Sequence, residues 1–142
     1  MMTLTIDHAR TIIAAALDHG RTNGFNPLCV IVLDAGGHPK AFERSDGVAN
    51  RRFDVANGKA HGAIAVGVGS RTLGEMAVER PHFINGLIGS INGPLVPVPG
   101  GVLVTDADGT VIGAVGISGD TSDNDEAAAV AGIEAAGLVA RI

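Results

Sequence analysis

Arg52 and Lys59 stand one heptad apart, and the residues that share their side of a helix are small or apolar: Val55, Ala56, Gly62 and Ala63. At about 100° per residue both cations fall on that side, while Asp54 and His61 fall on the polar one. A cation in such surroundings loses hydration and needs an anion. Two readings follow. One is a structural or inter-subunit ion pair with a partner such as Asp46 or Asp125. The other is a pocket cation that clamps a ligand carboxylate, or a lysine whose depressed pKa makes it a base. Gly58 and Gly62 on the same helix allow close backbone approach.

The second chemical cluster is acidic. Between Gly116 and Glu126 the chain reads as a strand, a glycine turn and a helix start, with Asp120, Asp123, Asp125 and Glu126 inside seven residues. A helix N-terminus attracts phosphate, but four carboxylates repel it. The spacing is not that of an EF-hand loop, because no glycine stands sixth from Asp120 or Asp123. The carboxylates could cap the helix or hold a hard cation through their oxygens, and capping is the role expected, with Asp125 or Glu126 free to face a pocket and pair with Lys59 or Arg44. No metal site is expected.

Of the five histidines, His8 and His19 lie eleven residues apart and share one flank of the first helix. Three helical turns are too far for both to ligate one ion. Each lies beside the apolar face, where a haem could lie flat and take an axial histidine. The H-E-x-x-H, C-x-x-C and G-x-S-x-G motifs are absent, as is the dinucleotide fingerprint.

These residues sit in a chain of 142 residues, enough for one domain with its own core, and a single domain over 1–142 is expected. Hydrophobic residues make up 46%, with only 3% aromatic and 18% charged, and 21 residues are glycine. The apolar content with a net charge of −5 excludes disorder. A pI near 5.4 and the scarcity of stacking rings argue against nucleic acid as a partner. No apolar run is long enough to cross a membrane, and the opening residues do not read as a signal peptide. Cys29, the single cysteine, cannot form an internal disulfide, which fits a reducing, cytoplasmic setting. The surplus of small apolar residues points to buried subunit surface and hence a homo-oligomer.

The elements that must position the clusters follow from periodicity. A helix over 6–20 is capped by Thr5, with Ile6, Ala9, Ile13, Ala16 and Leu17 as its core face. The apolar run 28–33, the Asp34–Gly37 turn and 39–44 form a hairpin. Helices are expected over 50–66 and 72–79, the latter capped by Ser70 or Thr72. Residues 81–101, rich in proline and glycine yet apolar, read as an irregular lid or interface arm. A second hairpin spans 101–105 and 110–117 around an Asp-Gly turn. Asp123 with Glu126 resembles a capping box for a last helix over 124–140. Two hairpins among helices give an α+β fold, an antiparallel sheet of about five strands layered between α-helices.

Several segments resemble one known family: the opening LTIDHAR, the stretch VIVLDAGGHPKAFERSDG, Asn57-Gly58-Lys59-Ala60, PVPGGV at 97–102, VIGAVGISG at 111–119, and Asp125-Glu126. Together, and in this order, they resemble the GlcG/HbpS-like family, which includes the C-terminal domain of PduO-type proteins. The resemblance implies profilin-like layering and dimer-based assemblies, up to tetramers or octamers. It implies a small-molecule ligand, haem or a related tetrapyrrole, for some members. It implies an accessory role beside catabolic enzymes for others. Carried over by motif, the pocket candidates are Asp34, Arg44, Asp46, Lys59, Gly100, Gly101, Asp125 and Glu126. For an axial ligand to haem it suggests His8 first and His19 second.

Two functional expectations stand side by side. One is an oligomeric tetrapyrrole-binding module, with Arg52 or Lys59 pairing with propionates. The other is a small cofactor-free isomerase, hydratase or lyase acting on a carboxylic acid. There Arg44, Arg52 or Lys59 would clamp the substrate, and Asp34, Asp46, Asp125, Glu126 or Lys59 would move a proton.

Overall fold

The first helix begins where its cap dictates. In the computed structural model, which describes residues 2–142, α1 runs Ile6–Thr22. The Thr5 hydroxyl accepts from the His8 backbone N–H at 3.1 Å, and the His8 Nδ1 accepts from the Thr5 N–H at 3.1 Å. This is a capping box with histidine in the place usually held by Glu or Gln. The helix passes through Gly20, which is buried against Leu28 and Phe25 rather than ending the element.

The two hairpins are β1 (Cys29–Asp34) with β2 (Pro39–Arg44), and β3 (Gly101–Thr105) with β4 (Val111–Ser118). They join through β1 and β4, giving the all-antiparallel order β2-β1-β4-β3-β5. The fifth strand, Val139–Arg141, lies where the last helix was expected to continue. That helix, α5, runs Ser122–Ala135 and is capped by the Thr121 hydroxyl, not by Asp123. Gly137 adopts a left-handed φ of 75°, turns the chain, and lets Leu138 enter the core while Val139 pairs with Thr105.

Helices cover both faces of the sheet. On one face α1 and α5 bury Ile12, Ile13, Val30, Val32, Val104, Ile117 and Ile133 in a common core. Gly132 lets these two helices approach, since a Cβ there would meet Ala16 Cβ at 3.2 Å. On the other face lies α2 (Arg52–Val66), whose Ala56, Ala60 and Ala63 pack on Ile31, Leu33 and Leu103. The next helix, α3 (Ser70–Glu79), starts two residues earlier than expected and has no side-chain cap, because its N-cap residue is Gly69 and Ser70 is a buried residue of its first turn. The first half of the expected irregular arm is in fact a helix, α4 (Pro81–Ser90). Proline at its first position is pre-set for a helix start, and its glycines carry no obstacle to helical φ. It buries Ile84 against Leu73 and Leu95 in a small separate cluster.

Candidate functional site

Lys59 is the largest fully buried side chain and only 2% exposed. Its place follows from helix α2, which presents Ala56, Ala60 and Ala63 to the sheet and brings Lys59 over the end of β4. The ammonium donates to the Ile117 carbonyl at 2.9 Å and to Asp125 Oδ2 at 3.0 Å. The other carboxylate oxygen of Asp125 accepts from the Asp120 N–H at 3.0 Å. Two glycines make room. Gly100 has φ 123°, and a Cβ there would stand 2.8 Å from the Lys59 Nζ. A Cβ on Gly101 would collide with the Lys59 carbonyl. Ser70 closes the far side, accepting from the Gly101 N–H at 2.7 Å.

Burial pushes the Asp125 carboxyl up, and the Lys59 charge opposes that push. Burial also raises the neighbouring Cys29 thiol, which leaves it a poor nucleophile. No buried side-chain polar atom among the described residues lacks a partner. The cluster is a sealed, fully satisfied ion pair that ties α2 to α5 across the sheet, which is the structural reading of Lys59.

Glu126 finds a different cation. Arg71, on α3, binds both oxygens of Glu126 at 3.1–3.2 Å and also pairs with Asp123. Both carboxylates push the guanidinium pKa further up. Arg71 was not singled out from the sequence, where Ser70 stood only as a candidate helix cap, since one basic residue on a short helix gives no signal by itself.

The expected carboxylate clamp is not assembled. Arg44 is exposed at the end of β2 and reaches only the Val48 carbonyl, at 3.5 Å. Asp34 is a turn residue. Its Oδ1 accepts from the Gly36 and His38 N–H groups, and these hydrogen bonds hold its carboxyl below the usual range. Asp46 is exposed in the loop after β2. Lys59, Gly100, Gly101 and Asp125 converge, but inward on one another. Arg52, expected to share the buried surface with Lys59, is exposed at the first turn of α2, with its guanidinium 3.4 Å from the Ser118 hydroxyl.

Several recesses mark the surface. One, about 480 Å³, lies between the N-terminal segment and the β1–β2 turn and includes Asp34, His38 and Lys40. A second, about 260 Å³, is floored by Leu17, Phe25, Pro27 and Leu28, with Arg21 and Asp46 at its rim. A third, about 310 Å³, includes Asn26, Gly47, Arg52 and Gly119. Lys59 lines none of them.

The two histidines of α1 are both half-buried but differ in their commitments. His8 spends Nδ1 on the helix cap. His19 sets its ring edge-on to Phe25, with centroids 5.7 Å apart, and its ring nitrogens have no partner among the described residues. Of the other three, His61 binds the Pro94 carbonyl through Nδ1, His38 sits 3.6 Å from Asp34, and His82 is exposed.

Comparison with known proteins places this architecture. The sequence model described as "Haem degrading protein HbpS-like" matches residues 4–134. The chain belongs to the HbpS-like family. Among solved structures, a PduOC:heme complex is 25% identical with a TM-score of 0.85, over 96% of this chain and 97% of that one. HbpS is 26% identical with a TM-score of 0.81, over 94% and 90%. The Klebsiella pneumoniae protein ORFY is 25% identical with a TM-score of 0.82, over 96% and 92%. No match to a curated protein was found. No helix of this HbpS-like chain, among the described residues, is long and apolar enough to cross a membrane.

Proposed function

We propose that this HbpS-like chain is a tetrapyrrole-binding protein in which His19 is the axial ligand to a haem iron. The observation that carries the reading is the contrast between the two histidines of α1. Because the His8 Nδ1 accepts from the Thr5 N–H, the neutral ring carries its proton on Nε2. Neither nitrogen is then free to ligate unless the helix cap breaks. His19 has no such duty, and Phe25 fixes its ring edge-on. His19 also stands in the last turn of α1, where the negative end of the helix dipole favours a bound cation. Phe25, which the His19 ring touches, also lines the second recess with Leu17 and Leu28, although His19 itself lines none of the three. Haem, when bound, supplies a redox-active iron; the protein supplies the imidazole, the apolar bed and the exclusion of water. A haemin titration tests this. Wild type and His8→Ala should both develop a shifted Soret band, and His19→Ala should lose it. An unchanged spectrum in His19→Ala removes His19 from the role.

Self-association belongs to the same reading, and α4 supports it. That helix buries one residue, Ile84, and leaves Ile88 48% exposed and Phe83 36% exposed, while nearby Val78 on α3 is 84% exposed. Exposed apolar side chains on this helix pair favour a subunit contact. Light scattering should give a mass of at least a dimer for the wild type and a smaller mass for Val78→Asp with Ile88→Asp. A monomeric wild type, or an unchanged mass in the double variant, excludes this contact.

A further inference from the structure

Asp34 and Lys40 both line the recess between the N-terminal segment and the β1–β2 turn, yet they do not pair. Asp34 commits one carboxylate oxygen, Oδ1, to the Gly36 and His38 N–H groups at 2.9 and 3.0 Å. The second oxygen, Oδ2, has no hydrogen-bond partner among the described residues. The one basic group within 4 Å of the carboxylate is the His38 ring, at 3.6 Å. Lys40 is near enough for its charge to favour the ionised carboxylate, but among the described residues it makes no ion pair or side-chain hydrogen bond. Two opposite charges are thus held apart on one recess, and the gap admits a ligand that carries both signs itself. The rest of the lining is largely apolar. Leu4 and Ile112 are each 4% exposed, and Met2 and Val111 extend the same wall. Leu4 reaches this place because β4 has a glycine at 113, where a Cβ would stand 2.8 Å from the Leu4 Cδ1. The volume, about 480 Å³, falls within the range of roughly 300–1,000 Å³ usual for small-molecule sites, which likewise join an apolar lining to a few polar groups.

We propose that this recess binds an α-amino acid with an apolar side chain, its ammonium on Asp34, its carboxylate on Lys40 and its side chain against Leu4 and Ile112. The site is separate from that of His19. Leu4 precedes the first turn of α1 and His19 stands in its last, on the order of 20 Å away along the helix. The amino-acid site and the tetrapyrrole reading therefore stand or fall independently.

Calorimetric titration with leucine tests it, beside three analogues that each remove one feature. Leucinamide lacks the carboxylate, N-acetylleucine lacks the ammonium, and glycine lacks the side chain. The wild type should bind leucine more tightly than any of the three. Asp34→Asn keeps an oxygen to accept from the turn N–H groups, so the β1–β2 turn survives the change. It should weaken leucine roughly tenfold, the loss of one charge-assisted contact, and leave N-acetylleucine unchanged. Lys40→Met should weaken leucine about threefold, because that charge stands in water, and leave leucinamide unchanged. No heat from leucine at millimolar concentration in the wild type overturns the site. Equal affinity for leucine and the three analogues also overturns it. So does a variant that weakens all four ligands alike, since the effect would then not pass through the matched charge.

Discussion

Lys59→Met is expected to destabilise the fold by about 3–5 kcal/mol, the range for stranding one member of a buried ion pair. Asp125 is 1% exposed and would keep only the Asp120 N–H as a partner. Most of the loss comes from the carboxylate left behind rather than from the bond removed. Adding Asp125→Asn should therefore restore a large part of it, because a neutral amide can still accept from the Asp120 N–H and costs far less to bury unpaired than a carboxylate. Denaturant melts of the wild type, both single variants and the double variant complete the cycle. A second signature lies in pH. Burial already raises the Asp125 pKa, and Lys59 holds it down. Without Lys59 the folded-state value rises further above the unfolded one. A carboxyl that binds its proton more tightly when folded contributes stability at low pH, and that contribution is lost as pH rises through the folded pKa. Lys59→Met should thus fall progressively further below the wild type as pH climbs from about 4, the ordinary Asp range. A cost under about 1 kcal/mol, or a deficit that shrinks with rising pH, would count against the pair as described.

Gly116→Ala should have an effect of similar size for a different reason. Gly116 lies in the middle of β4, between its partners Ile31 and Gly101. Helix α2 rests directly on it. A Cβ there would run into the Ala56 carbonyl and stand 2.9 Å from the Ala60 Cβ. Neither neighbour is the end of a flexible side chain, so the helix itself must lift. Overpacking a tight core typically costs 1–3 kcal/mol, and the rigid helix backbone at Ala56 puts this case at about 3 kcal/mol. For a chain of this size that corresponds to a fall in melting temperature of about 10 °C. Lifting α2 also pulls Lys59 from the Ile117 carbonyl, so Gly116→Ala and Lys59→Met should be less than additive. Strict additivity would show that the helix does not move.

How far the sequence foretold this arrangement depends on the range of each signal. The hairpins were legible because an apolar run, a turn with Asp and Gly, and a returning strand are all local. Lys59 was legible as a cation needing an anion, because its helical neighbours are alanine and glycine, and Asp125 was among the named partners. The choice of Asp125 over Asp46 was not legible, since it depends on where α5 meets β4. Helix α4 was hidden because proline and glycine argue for loops, although this proline sits where a helix tolerates it. The strand β5 was hidden because three residues carry no period. Our proposal of His19 before His8 likewise turns on something the sequence does not show. His8 and His19 look alike in sequence, and only the cap geometry at Thr5 shows that one ring is already engaged.

The sheet order has a kinetic side. Each hairpin joins residues close in sequence and can form early. The seam between them cannot: its partners run from Asp34 with Gly113 to Cys29 with Ser118, 79 to 89 residues apart. All of α2, α3 and α4 hang in the loop that this seam closes. Closing it costs chain entropy before any core is gained, and such long-range pairings set the pace of folding in small domains. The chain is therefore two quick halves, a helix followed by a hairpin and a hairpin followed by a helix, waiting on one slow encounter.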